Sequence, residues 1–229
     1  MIQVRKSSER GHTNISWLNS YHTFSFGEYH DPEHIGFASL RVVNEDTVQP
    51  GNGFSTHAHK DMEIISYVIE GELSHQDSMG TGSVIKPGEI QRMSAGTGVE
   101  HSEFNNSAEP LHFLQIWIHP ERTGIAPSYE QKSITKVLNK FILIGSRGNY
   151  EQAIIIHQHV DLYVAYMTAN NTLEYIFKKN HKVWIQVVKG RLDVNGVEFS
   201  QGDGAAITHE DMLRIGCVED GEFLLFDFV

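Results

Sequence analysis

Residues 67–77 read YVIEGELSHQD, and residues 186–196 read QVVKGRLDVNG. In both stretches a run of β-forming residues leads into a glycine, Gly71 or Gly190, and a second run follows, which is the pattern of two strands joined by a tight turn. The recurrence indicates that the chain holds two related β-domains. The alternative is that sequences of this strand-turn-strand pattern recur by chance in any all-β protein.

A second match lies further along the chain. PGE (87–89) resembles QGD (201–203) at a slightly shorter offset, as if the second copy had a shorter loop. The duplication hypothesis therefore predicts an N-terminal domain over residues 1–130 and a C-terminal domain over residues 131–229.

Short β-rich runs dominate the chain. Separated by Gly, Asn or Asp, they are FASLRVV (37–43), EIISYVIEG (63–71), LHFLQIWI (111–118), AIIIHQHVDLYVAYM (153–167), KVWIQVVKG (182–190) and FLLFDFV (223–229). LDVNGVEF (192–199) adds a hairpin, because its Asn195-Gly196 pair suits a type I′ turn. Helix is predicted only around 128–139 and 210–213. We expect an all-β sandwich or barrel fold with few short helices.

Composition narrows the classes of function. The 229 residues are 40% hydrophobic, enough for a real core, and their formal net charge of -11 disfavours direct binding to nucleic acid or to an anionic membrane. No apolar run approaches the roughly 20 residues that span a bilayer, and the N-terminus lacks the apolar region of a signal peptide. The single cysteine, Cys217, rules out an internal disulfide and fits a reducing compartment. We therefore expect a cytoplasmic protein.

STHAHKDME (55–63) places His57 and His59 one residue apart. In a chain with 14 histidines, chance alone gives roughly 0.8 such pairs, and HQH (157–159) is a second pair. The spacing by itself therefore carries little weight, and the surrounding sequence has to decide.

MSAGTGVEHSEFN (93–105) supplies that context, because His101 and Glu103 repeat the spacing. Residues two apart in a strand face the same way, so two adjacent strands can aim three imidazoles and one carboxylate at one point. Such donors suit Fe(II), Mn, Ni, Co, Cu or Zn rather than Ca or Mg, and they leave coordination positions open for a reaction.

If the duplication is real, only the N-terminal copy keeps this set. The same offsets carry the four positions onto Ile176, Lys178, Ile215 and Cys217. We expect none of these to replace its counterpart as a metal ligand, so the C-terminal copy is predicted to be scaffold.

At these residues the sequence resembles the pirin family of the cupin superfamily. The segments that carry the resemblance are HTFSFGEYHDPEHIGFASLRVVNED (22–46), THAHKDMEIISYVIEGELSHQDSMG (56–80), PGEIQRMSAGTGVEHSE (87–103) and VWIQVVKGRLDVNG (183–196). The first three follow the family's order and cover most of the first half of the chain. The last is similar to bacterial pirin-like proteins, including those described as quercetin 2,3-dioxygenases.

The resemblance implies a bicupin fold of two β-barrel or jelly-roll domains, with a metal in the first. It places the metal on His57, His59, His101 and Glu103. Fe(II) is the metal that it implies, and Ni, Co, Mn, Cu or Zn also fits these donors. Glu63 lies near the glutamate ligand of the general cupin pattern. It is interpreted as structural or as a support for a ligand, because pirin-like proteins take their carboxylate from the second motif.

The remaining candidates are interpreted as structural. His157 and His159 lack a partner cluster and are expected on a strand surface. His75 is expected to be a satisfied structural histidine, and a supporting role behind the ligands is the alternative. HTFSFGEYHDP (22–32) is interpreted as packing and turn formation, because its aromatics fit a core and its Asp-Pro pair fits a turn.

Three functions are weighed. The resemblance implies a metal-dependent dioxygenase that cleaves flavonols such as quercetin with O2 and releases carbon monoxide, and Glu103 is the candidate catalytic residue that accepts the substrate's hydroxyl proton. The alternative is an iron-binding regulatory module that modulates a protein partner, a transcription factor or a metabolic enzyme, through the redox state of the metal. The third is a β-protein whose histidines are remnants. The resemblance also implies a monomer.

Overall fold

The computed structural model of the protein describes all residues from 1 to 229 and is almost entirely β. Its only helix is a 3-10 turn at Ser7–Glu9, so the all-β prediction is confirmed. Nowhere does a helix reach the length and hydropathy needed to cross a membrane.

The chain forms two compact units. The N-terminal unit consists of Gly11–Ile134 and Arg147–Gln158, and the C-terminal unit consists of Met1–Arg10, Thr135–Ser146 and His159–Val229. Each unit therefore contains more than one stretch of sequence, which differs from the continuous division at residues 130 and 131.

The strands of the N-terminal unit are β2 (Gly11–Ile15), β3 (Leu18–His22), β4 (Leu40–Val48), β5 (Gly53–His59), β6 (Glu63–Glu70), β7 (Leu73–Asp77), β8 (Gly82–Ile85), β9 (Glu89–Ser94), β10 (Val99–Phe104), β11 (Leu111–Ile118), β12 (Ser128–Ser133) and β14 (Ile154–Ile155). One sheet has seven strands in the order β12-β9-β6-β11-β4-β3-β2, and the other has four in the order β5-β10-β7-β8. A buried apolar cluster contains residues of both sheets, so their inner faces meet.

The strands of the C-terminal unit are β1 (Ile2–Arg5), β13 (Phe141–Ser146), β15 (Val160–Met167), β16 (Thr172–Ile176), β17 (Lys182–Val194), β18 (Val197–Ser200), β19 (Gly204–Ile207) and β20 (Met212–Phe228). They follow the order β1-β19-β17-β20-β15-β13, with β16 paired to β20 and β18 to β17. The antiparallel pairing of β1 with β19 explains why the first ten residues belong to this unit.

One local prediction is confirmed and two are wrong. Asn195 and Gly196 have φ values of 50° and 83°, so the type I′ turn between β17 and β18 is confirmed. The two helix predictions are wrong. Residues 128–133 form β12, which pairs with β9, and β20 begins at Met212. Pairing along a sheet overrides the weak helical pattern of both segments.

Candidate metal centre

Strands β5 and β10 bring the two predicted motifs together. They pair antiparallel with His57 opposite His101, and the register then shifts so that Glu103 lies opposite Phe54. Bulges of this kind redirect side chains next to functional sites. His101 and Glu103 are each only 2% exposed, so both lie in the interior of the unit.

Three imidazole rings meet at this pairing. The ring centroid of His57 lies 4.7 Å from that of His59 and 4.5 Å from that of His101, and the last two are 4.9 Å apart. One nitrogen from each ring lies within 4.8 Å of the others. Because metal–imidazole bonds are about 2.0 to 2.1 Å long, one ion between the rings can contact all three.

The protonation of the rings suits metal binding. His57 donates its Nδ1–H to the backbone oxygen of Ser55 at 2.7 Å, which leaves the Nε2 lone pair free toward His101, whose Nε2 is 3.1 Å away. Burial and the neighbouring His57 lower the pKa of His59 to about 4. Burial and the neighbouring rings lower the pKa of His101 to about 2. His59 and His101 are therefore neutral at pH 7, the form that binds metals.

Glu103 is held by two side chains of the facing sheet. The Ser66 hydroxyl donates to Oε1 at 3.1 Å, and the Gln115 amide donates to Oε2 at 2.5 Å. Burial raises the pKa of Glu103, against the opposing effects of nearby His75 and of these hydrogen bonds. The carboxylate is thus fixed in orientation by residues that hydrogen-bond its charged form.

A second group of potential ligand atoms shares His101 with the first. It contains His75, His101 and Glu103, all buried, with their ligand atoms within 4.8 Å of one another. His75 lies opposite Glu103 on β7 and donates its Nε2–H to Asp77 Oδ2 at 3.0 Å. Its Nδ1 is buried without a hydrogen-bond partner. This geometry favours the supporting role for His75 over that of a satisfied structural histidine.

The donors present fit a divalent transition metal. Neutral imidazoles and one carboxylate form the mixed N/O set that first-row ions prefer over Ca or Mg. Nδ1 of His101, like that of His75, is a buried nitrogen without a partner. The structure brings His57, His59 and His101 into one group, and Glu103 adjoins this group through His101.

A cavity of about 550 Å³ lies beside the histidines, and His57 and His59 form part of its wall. Its apolar lining comes from Trp17, Leu18, Phe26, Phe54 and Trp117. The Trp117 ring packs edge-on against the ring of His59, with centroids 4.9 Å apart. A cavity of this size and lining suits a small, largely apolar ligand.

A row of buried polar side chains crosses the inner face of the seven-stranded sheet. Strand pairing sets His22 beside Asn44, Asn44 beside Gln115 and Gln115 beside Ser66, with Ser20 beside Asp46 in the next row. We call these six residues the polar belt, and all are buried. Apolar clusters flank it on both sides. All of its members except Ser66 line the cavity.

Sequence reasoning missed the polar belt and the aromatic lining. The segment 22–32 forms the predicted turn, where Asp31 Oδ1 accepts the N–H of Glu33 at 3.0 Å. It also lines the cavity through His22, Phe26, Gly27 and Glu28, so packing is only part of its role. The sequence signal for the belt is the pattern of LHFLQIWI and EIISYVIEG. In each, one polar residue lies among apolar residues on the inward-facing side of the strand.

Glu63 lies outside both ligand groups and is structural. It is fully buried, and its Oε2 accepts the backbone N–H of His157 at 3.0 Å and lies 3.1 Å from the Nδ1 of that ring. His157 and His159 both lie in a bend rather than on a strand surface, so that prediction is wrong for both residues. His159 is exposed and precedes β15. Neither histidine of HQH belongs to the two groups of potential ligand atoms.

Two family models match the chain. The model described as Pirin matches residues 3–118, and the model described as the quercetinase C-terminal cupin domain matches residues 143–228. Quercetin 2,3-dioxygenase of Escherichia coli strain K12 is 47% identical over 228 residues, which cover 99% of this chain and 98% of that protein. A putative quercetin 2,3-dioxygenase of Pasteurella multocida is 43% identical and matches over the full length of both.

A solved structure of bacterial pirin YhhW from Escherichia coli in complex with nickel(II) is also similar. It is 46% identical, superimposes with a TM-score of 0.96, and the match covers 100% of this chain and 99% of that one. The likeness therefore extends over both units.

Proposed function

Because the chain belongs to the pirin family of the cupin superfamily, we propose that it is a metal-dependent dioxygenase that cleaves flavonols such as quercetin with O2 and releases carbon monoxide. The names of the relatives from Escherichia coli and Pasteurella multocida support this oxidoreductase activity. The observation that carries the proposal is that His57 and His59 belong both to the imidazole group and to the wall of the aromatic-lined cavity.

We propose that His57, His59, His101 and Glu103 hold the metal. When bound, the metal supplies a Lewis acid that favours ionisation of a phenolic hydroxyl and offers open positions for substrate and O2. Fe(II) is the proposed ion, and the nickel(II) complex of the YhhW relative makes Ni the first alternative to test.

The protein's own residues orient the substrate and handle its proton. Trp17 and Trp117 give the cavity two flat apolar surfaces, which suit a planar ring system and keep water from it. Glu103 is the proposed acceptor of the substrate's hydroxyl proton. Its hydrogen bonds from Ser66 and Gln115 hold it in one orientation, so that little reorganisation is needed when the proton moves.

The test is aerobic turnover of quercetin by protein loaded separately with Fe(II), Ni, Co, Mn and Cu, with bound metal measured in each sample. We expect loss of the flavonol absorbance together with carbon monoxide release for at least one metal. The double variant His57→Ala/His101→Ala serves as the control and should show neither. Glu103→Gln should lose turnover while retaining some metal, and an unchanged rate in that variant contradicts the role of Glu103 as base.

Stoichiometric metal without turnover of any flavonol contradicts the dioxygenase proposal. That result would favour the alternative of a metal-dependent regulatory module and would direct the search to a protein partner. Failure to bind metal at all would instead remove the ligand assignment on which both functions depend.

A further inference from the structure

We propose that Asp46 recognises a phenolic hydroxyl group of the substrate, one other than the hydroxyl at the histidine group, and so selects polyhydroxylated aromatic molecules. This assignment rests on the proposed function and names the residue that sets its substrate class.

The position of Asp46 is the first support. It lies on β4 within the polar belt, is 2% exposed and lines the same cavity as His57 and His59. Its only side-chain hydrogen bond comes from Ser20, whose hydroxyl donates to Oδ1. The other carboxyl oxygen, Oδ2, accepts no hydrogen bond in the structure, so it is available to a ligand in the cavity.

Other buried carboxylates of the protein are satisfied or lie elsewhere. Both oxygens of Glu103 accept hydrogen bonds, and in Asp227 Oδ2 accepts the Tyr175 hydroxyl while Oδ1 lies 2.7 Å from Nδ1 of His181. Glu63 has an unpartnered Oε1, but it does not line the cavity. Because buried carboxylates are normally fully hydrogen-bonded, a half-satisfied one facing a cavity indicates a ligand group as the missing partner.

Ser20 and its neighbours keep Asp46 in place. The Ser20 hydroxyl lies 3.4 Å from Nδ1 of His22, and that nitrogen is 3.0 Å from Oδ1 of Asn44. Thr13 contacts the other ring nitrogen of His22 at 3.0 Å. The polar belt therefore presents the carboxyl group from a connected network rather than from a mobile side chain.

The cavity lining defines the ligand that fits. It contains neither lysine nor arginine, so a phosphate or carboxylate group lying away from the histidine group would lack a counter-charge. Its aromatic walls suit a flat, uncharged ring system. The pKa of Asp46 is raised to about 7, chiefly by burial and also by Glu103 and Glu45, against the lowering effects of Ser20 and His112. Near neutral pH the carboxylate form is available to accept a hydrogen bond from a phenolic hydroxyl, and this charge-assisted bond is stronger than one to the neutral amide of an asparagine.

The test compares Asp46→Asn with the wild-type protein under anaerobic conditions, both loaded with the same metal. Binding of quercetin and of 3-hydroxyflavone, which carries only the 3-hydroxyl, is followed by quenching of tryptophan fluorescence. We expect Asp46→Asn to weaken quercetin binding by about tenfold and to change 3-hydroxyflavone binding by less than about twofold. Asp227→Asn, a matched change of a buried carboxylate in the C-terminal unit, should leave both affinities unchanged.

Equal weakening of both flavonols, or no weakening of quercetin, overturns the assignment while the proposed function stands. If the wild-type protein binds neither flavonol, the proposed function itself fails, and the assignment fails with it. Circular dichroism checks the fold of each variant. Should Asp46→Asn fail to fold, Ser20→Ala removes the group that orients Asp46, and it should weaken quercetin binding several-fold with 3-hydroxyflavone unaffected.

Discussion

A row of four paired residues crosses the inner face of the main sheet in each unit, and the two rows have opposite chemistry. In the N-terminal unit the row is His22, Asn44, Gln115 and Ser66. In the C-terminal unit one such row is Ala205, Ile185, Leu225 and Tyr163, within an apolar core. Antiparallel strands of similar length thus build either a site or a scaffold, depending on which side chains face inward.

The turns of the two units are nevertheless alike. Gly71 and Gly190 have φ values of 79° and 78°, which L side chains rarely adopt. A Cβ at Gly71 would lie 2.6 Å from the oxygen of Pro110, and one at Gly190 would lie 2.3 Å from that of Asp220. Both positions need glycine because φ is positive and because a Cβ would clash with a backbone oxygen. This similarity supports the proposal that the units are related copies.

The positions that the sequence offset makes equivalent to the ligands lie in different surroundings. Ile215 and Cys217 are buried in the apolar core of the C-terminal unit. Ile176 is 74% exposed, and the residue opposite Ile215 on β16 is Leu173. Leu173, rather than Ile176, therefore takes the place that His57 has opposite His101, because the sequence offset ignores a difference in loop length.

The largest expected effect is the loss of the metal. His57→Ala/His101→Ala removes two of the four proposed ligands, so we expect no stoichiometric metal and a fall in flavonol turnover of at least roughly 10⁴-fold. Metal analysis and initial rates measure both. His159→Ala, from the other His-x-His pair, is the matched control and should retain metal and rate. Full metal content in the double variant would place the site elsewhere.

The second-largest effect is expected when a carboxylate is placed in the apolar core of the C-terminal unit. Cys217→Glu places the ligand type of Glu103 in a core that offers no equivalent of Ser66 or Gln115. We expect the free energy of unfolding in urea to fall by roughly 4 to 5 kcal/mol, the cost of an unpaired buried charge or of a rearranged core. Cys217→Ala should cost much less. A stable Cys217→Glu protein would show that the two interiors differ less than described.

Asp46→Asn should stabilise the metal-free protein at high pH. The pKa of Asp46 is about 7 in the folded protein, against an ordinary value of 3.8 for an aspartate in an unfolded chain, so the folded state holds the extra proton between these values. The free energy of unfolding of the wild type therefore falls as pH rises through that window. Relative to wild type, the free energy of unfolding of the variant should be roughly 4 kcal/mol higher at pH 8 and almost unchanged at pH 3. Urea unfolding at both pH values measures this, and a pH-independent difference contradicts it.

The smallest expected effect concerns the belt residue that holds Glu103. Gln115→Leu removes the 2.5 Å hydrogen bond to Oε2, so metal affinity should weaken roughly 10- to 100-fold, as for other partners of metal ligands. Competition with a chelator of known affinity measures the change. Gln186→Leu alters a fully buried glutamine of the C-terminal unit and is the matched control. An equal loss of metal affinity in both variants would show that the effect comes from general destabilisation of the protein.

Sequence reasoning reached the histidine group because the alternation of a strand is a local property. His57 and His59 share a face by spacing alone, and so do His101 and Glu103. The sequence did not indicate that Asp46 lines the cavity or that His157 contacts Glu63. Polar residues in a strand look alike in sequence whether they face solvent or an interior cavity, and His157 gains its partner Glu63 from a residue 94 positions away.

The β-rich architecture, the hairpin at Asn195 and Gly196, and the four candidate ligands could be predicted from the sequence, because each depends on residues close together in the chain. The side-by-side order of β3, β4, β11 and β6 is visible only in the folded protein. That order turns isolated polar residues of separate strands into the polar belt, next to His57 and His59 in one cavity. Strand order is set by the burial of whole faces over long sequence separations, and no local pattern encodes it.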